Sequence, residues 1–126
     1  MIIGIEHLAI ASPDPARLAQ WYVDHLDFVI NYKSSRSTTH FIKAPNGVMI
    51  EIIESHNQPI APQLRDAGLR HIAIAVSDFA AAHTRLREKN VRFLSEPDTS
   101  GGNTTVFFSD ADGNIVHLLH REKPLP

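Results

Sequence analysis

Short apolar runs alternate with polar segments along the chain, and the period of the pattern switches between two and about 3.6 residues. Ile3 to Ala11 reads as a strand, and so does Leu69 to Val76. A helix is expected after each. The first is announced by Ser12-Pro13-Asp14-Pro15, a capping acid with proline at the first helical position. Its apolar stripe is Leu18, Trp21, Tyr22 and Leu26. The second follows Ser77-Asp78 and carries Phe79, Ala82, His83 and Leu86 on one side. Three shorter strands complete each half. They are expected near Phe28 to Lys33, Thr38 to Lys43 and Val48 to Glu54, then near Arg92 to Leu94, Thr104 to Ser109 and Ile115 to His120. Pro45-Asn46-Gly47 and Asp112-Gly113 are turn signals between the last two strands of each half.

The two halves are related by an internal repeat. IEHLAIAS at residues 5 to 12 matches LRHIAIAV at 69 to 76, which lays His7 on His71 and Asp14 on Asp78. APNGVMIEIIE at 44 to 54 matches DADGNIVHLLH at 110 to 120, which lays Gly47 on Gly113, Glu51 on His117 and Phe41 on Phe107. The expected fold class is therefore α+β: one domain over residues 1–126, made of two βαβββ modules at 1–54 and 69–121 with a connector at 55–68. The connector, SHNQPIAPQLRDAG, is polar and contains prolines.

Alternation along the strands places the chemistry. Ile5, His7 and Ala9 share one face, and Leu69, His71, Ala73 and Ala75 share its counterpart. Leu8 and Ile10, and likewise Ile72 and Ile74, suit the face under a helix. Alanines beside each histidine leave space where a core face would be filled, so an open cleft is expected. In the closing strands Met49, Glu51 and Ile53 share a face, as do Ile115, His117 and Leu119. A lone ionised carboxylate among such apolar neighbours is costly unless paired or metal-bound. Singly, each of these side chains would pass as a structural or surface residue. Their equivalence in the repeat points instead to one metal site of His7, Glu51, His71 and His117. Three imidazoles and a carboxylate suit Zn, Ni, Fe, Mn or Co rather than Ca or Mg. The cleft wall, Ile5, Ala9, Met49, Ile53, Ala73, Ile115 and Leu119, is apolar, as small-molecule sites are. His40 is a further candidate for the cleft, and Lys33, Arg36, Arg65 and Arg70 are candidates for an acidic substrate group. Residues 97–104, PDTSGGNT, would form either a flap or a plain hairpin.

Composition narrows the classes. The 126 residues are 43% hydrophobic and 21% charged with net charge −2, so no basic stripe suggests nucleic acid. The absence of cysteine removes disulfides and thiolate ligands. No apolar run is long enough for a membrane span. The opening MIIGIEHLAIAS lacks a basic n-region, so a cytoplasmic location is expected.

IEHLAIASPDPARLAQWYVDHLDF, LRHIAIAVSD and FFSDADGNIVHLLH together resemble the vicinal oxygen chelate superfamily, also called the glyoxalase/bleomycin resistance/dioxygenase superfamily. The resemblance covers essentially the whole chain. It implies that each module curves into half of an open, cup-shaped barrel, with a divalent metal in the cup. His7, Glu51, His71 and His117 fall on the family's usual ligand positions. It also implies a metal-dependent enzyme of the lyase, isomerase or dioxygenase type. The substrate would be a small oxygenated metabolite, with an oxyanion or enediolate stabilised by the metal. Family members often form homodimers, and some build the site from both chains. An alternative within the same fold is a metal-free, drug-sequestering binding protein.

The sequence departs from the family pattern at two positions. Asp27 stands where glycine often ends the first helix. His117 stands where related glyoxalases place a glutamate after D-G-N-x-x, which removes one candidate base. That moves the expectation away from lactoylglutathione lyase and leaves Glu51 as the expected catalytic proton carrier.

Overall fold

The structure is a computed structural model describing residues 1–126. It divides into two compact units, Met1–Pro59 and Ile60–Pro126, each a four-stranded sheet with one helix. The first unit runs β1 (His7–Ser12), α1 (Pro15–Leu26), β2 (Val29–Lys33), β3 (His40–Lys43) and β4 (Met49–Glu54), with strand order β1-β4-β3-β2. The second runs β5 (His71–Ala75), α2 (Phe79–Glu88), β6 (Asp98–Ser100), β7 (Asn103–Ser109) and β8 (Ile115–Arg121), with order β5-β8-β7-β6. Both are βαβββ modules, so the α+β class with tandem repeats holds. No helix is long and apolar enough to cross a membrane.

Each helix begins as its sequence predicts. The Asp14 carboxylate accepts from the Arg17 N–H at 3.1 Å, and Pro15 occupies the first turn. Asp78 accepts from the Ala81 N–H at 3.0 Å. Leu18, Tyr22 and Leu26, spaced four apart, bury one face of α1 above Ile42, Ile50 and Ile52. Trp21 instead sits half-buried, stacked on His25 one turn later with ring centroids 4.4 Å apart. Asp27 ends α1 with φ 60°, the left-handed conformation usually left to glycine. In the second unit Leu86 alone of α2 is fully buried, and the core is Val106, Phe108, Val116 and Leu118.

The parallel crossovers fix the registers that matter. β1 pairs with β4 so that Ala9 faces Glu51, and β5 pairs with β8 so that Ala73 faces His117. β1 lies at one edge of its sheet, as β5 does in the other, and Leu8 stays exposed although it shares the helix side.

Two expectations need correction. The first strand starts at His7, not Ile3, because His7 pairs with Met49 and β4 begins at Met49. Nothing remains for Met1 to Glu6 to pair with, and Gly4, at φ 142°, turns the chain away. Arg92 to Leu94 is not a strand but a single bridge, Phe93 to Phe108. The chain leaves the ladder there because the Ser95 hydroxyl takes the Phe107 N–H at 3.0 Å. The edge strand is instead β6, joined to β7 by Gly101-Gly102, both with positive φ, in a two-residue hairpin turn. Residues 97–104 are thus a paired hairpin.

Candidate functional site

In the first unit His7 and Glu51 project from the same face of adjacent strands. His7 Nε2 lies 3.8 Å from Glu51 Oε1, too far for a hydrogen bond. On its other side His7 Nδ1 lies 3.1 Å from the Glu6 carboxylate, a contact that orients the ring and keeps Nε2 directed toward Glu51. Phe41, opposite Glu51 in the ladder, meets the His7 ring edge-on at 5.3 Å, and Tyr32 meets Phe41 at 5.9 Å. Both donors are about one-third exposed, so the pair itself contributes little to stability.

In the second unit His71 and His117 stand together with ring centroids 4.6 Å apart and planes at 75°. Phe107 stacks on His117 at 4.6 Å and 14°, and meets His71 edge-on at 5.7 Å. His117 is buried, and neither of its ring nitrogens has a hydrogen-bond partner. Burial, then the neighbouring charges of His71 and Arg121, hold its pKa below the ordinary 6.5. The ring is therefore neutral at pH 7, with one nitrogen lone pair free. An unsatisfied buried polar atom costs about 1–3 kcal/mol, so an orphaned imidazole needs a reason. A lone pair waiting for an electrophile supplies one, and this buried donor fits a divalent ion. Neither unit alone gathers three His, Asp or Glu side chains able to hold an ion. Each supplies one pair, placed on repeat-equivalent strands.

The remaining candidates separate by face. His40 shares the helix face with Ile42 and Ile52, opposite to Glu51, and its Nδ1 lies 2.7 Å from the Thr38 carbonyl. Lys33 pairs with His40 and lies on that side too. Arg36 and Arg65 are exposed, and Arg70 donates to the Gln63 carbonyl at 3.4 Å. Ile5 is exposed outside any strand, so it lines no wall, whereas Ala9, Met49, Ile53, Ala73, Ile115 and Leu119 lie on the donor faces. Three residues were missed. Phe41 and Phe107 shield the donors, and their equivalence in the repeat was the available signal. Arg121 lies on the His117 face because β8 runs one residue beyond the expected end.

Two tandem βαβββ modules, each bringing together two candidate side chains from its first and last strands, define a duplicated α+β protein. The chain belongs to the Glyoxalase/Bleomycin resistance protein/Dioxygenase superfamily, whose family model matches residues 4–118. It is 33% identical over 123 residues to the Escherichia coli protein named "Uncharacterized protein YaeR", covering 93% of this chain and 95% of that one. It is 32% identical over 132 residues to the ethylmalonyl-CoA/methylmalonyl-CoA epimerase of Cereibacter sphaeroides, covering 94% and 98%. Its fold matches TnmS3, an antibiotic binding protein from Streptomyces, with TM-score 0.78 at 18% identity over 96% of this chain and 98% of that one. The relatives thus include both an enzyme and a binding protein.

Proposed function

We propose that the protein binds one divalent first-row metal ion through His7, Glu51, His71 and His117 and acts as an enzyme on a small oxygenated metabolite. The observation that carries this reading is His117: buried, neutral and without a partner at either ring nitrogen. His7 Nε2 and Glu51 Oε1 form the matching pair in the other module, close together yet not bonded to each other. The metal is Zn, Ni, Fe, Mn or Co, as the nitrogen-rich donor set favours. When bound, it supplies Lewis-acid polarisation of a substrate oxygen.

The chain's own residues do the rest. Glu51 is the one carboxylate among the four donors, and it is the proton carrier. Its side chain is 28% exposed, open enough to exchange a proton with a bound molecule. Glu6 fixes the His7 ring, and Phe41 and Phe107 keep water from one side of each donor pair. A single proton carrier suits lyase or isomerase chemistry, and similarity to an epimerase favours that over oxygenation. The assembly is a homodimer: Met1, Ile2, Ile3 and Ile5 are almost fully exposed, a run of apolar surface that a second copy would cover.

Elemental analysis of protein purified without chelator tests the reading. About one ion per chain is expected, with loss of most of it in His71→Ala and His117→Ala. Less than about a tenth of an ion per chain, after reconstitution with Zn, Ni, Mn and Fe(II), would overturn it. In that case a metal-free binding protein, like the antibiotic binding neighbour, becomes the better account.

A further inference from the structure

The face of the second sheet that carries His117 changes character along its length. Near His117 it is apolar: Ala73, Phe107, Ile115 and Leu119 share it. At the end of β8 it becomes polar. Arg121 stands directly across the ladder from Asn103, and both are half-buried. The Arg121 side chain forms no hydrogen bond and no ion pair, and the same holds for the Asn103 amide. No other Lys or Arg lies on this face; of the acids nearby, Asp98 sits two strands away and accepts from the Ser100 hydroxyl at 3.3 Å, and Glu122, the next residue along the chain, lies against Gly102.

An arginine left half-buried and unpaired beside an amide is a ready anion site, because its planar fork matches a carboxylate with two parallel hydrogen bonds. A phosphate dianion would call for further cations or a helix N-terminus, and this face offers neither. Arg121 and His117 are four residues apart, about 13 Å along an extended strand. An anion at Arg121 and oxygens near His117 would then sit at opposite ends of one molecule.

We infer that Arg121, with Asn103, binds a carboxylate at the far end of the substrate, so that the substrate is an amphiphilic carboxylic acid. Its apolar middle would lie along Leu119 and Phe107 and its reacting oxygens would lie beside His117. The inference rests on reading the His117 face as the ligand-binding face, and it does not require that a metal be present.

The test uses 4-phenylbutyrate as a probe, with 4-phenylbutyramide as its uncharged twin and inorganic phosphate as a rival anion. Binding is followed by proton–nitrogen NMR of the Arg121 Nε–H and the Asn103 amide. The carboxylate should shift both signals, and the amide should bind at least tenfold more weakly. Arg121→Gln should weaken the carboxylate at least tenfold, Arg121→Lys should restore part of it, and Arg87→Gln on the exposed side of α2 should change nothing. Equal binding of acid and amide, an unaffected Arg121→Gln, or a response to phosphate alone would each overturn the inference. If Arg121→Gln folds poorly, the acid–amide difference in the unaltered protein still decides. Metal content measured on the same samples separates the two readings. Arg121-dependent carboxylate binding in protein that takes up no metal sinks the metal site alone. Full metal content with carboxylate binding indifferent to Arg121 sinks this inference alone.

Discussion

His117 shows how much one side chain depends on its surroundings. Burial against Phe107, and the charges of His71 and Arg121, favour the neutral ring. Because its folded pKa is depressed, protonation favours the unfolded chain, whose histidine takes up a proton near 6.5. The stability that the neutral ring contributes is present above that value and is lost as pH falls from 6.5 toward the folded pKa. Denaturant unfolding of chelator-treated protein should therefore show stability falling with acidification below 6.5. His117→Gln should show a flatter profile over the same window. A variant profile parallel to that of the unaltered protein would mean that His117 titrates as if exposed. Glu51, its counterpart in the repeat, has no such isolation, since it is 28% exposed and faces His7.

Among the elements, the helices are specified locally and the strands are not. Both helices are capped by an aspartate at repeat-equivalent positions, and each carboxylate takes the N–H of the third residue on. Asp14→Ala and Asp78→Ala should each cost about 1 kcal/mol, read as a lowered unfolding midpoint at unchanged slope. Conversely, a change under about 0.3 kcal/mol would show that the cap bond is not stabilising. The edge strands behave differently. β6 was not legible, because Ser95 draws the chain out of register by a side-chain bond that no periodicity records. The unpaired run before β1 was misread for a related reason. Ile2, Ile3 and Ile5 look like strand residues, but β4 supplies no partner N-terminal to Met49.

At the scale of the whole molecule, that same run has a consequence. Ile2 and Ile3 are 97% and 101% exposed, part of an apolar run that the proposed second copy would cover. Sedimentation equilibrium should show a dimer, and Ile3→Glu should weaken it at least tenfold without altering the far-ultraviolet spectrum. A monomer at about 10 μM, well above the dissociation constants typical of stable dimers, would rule out the homodimer.

The chain by itself determined the duplication, the βαβββ unit, both helix caps and the face on which each donor sits. These depend on short-range periods of 2 and 3.6 and on turn residues, all local along the chain. The tertiary structure decided what each donor meets. The parallel registers, which tie residues more than forty positions apart, put His7 beside Glu51 and His71 beside His117. The antiparallel registers put His40 on the opposite face, set Phe107 across from His117 and brought Arg121 onto the candidate face. Register between distant strands is chosen by packing over the entire sheet, so a one-residue difference in where a strand starts or stops escapes any reading of local pattern.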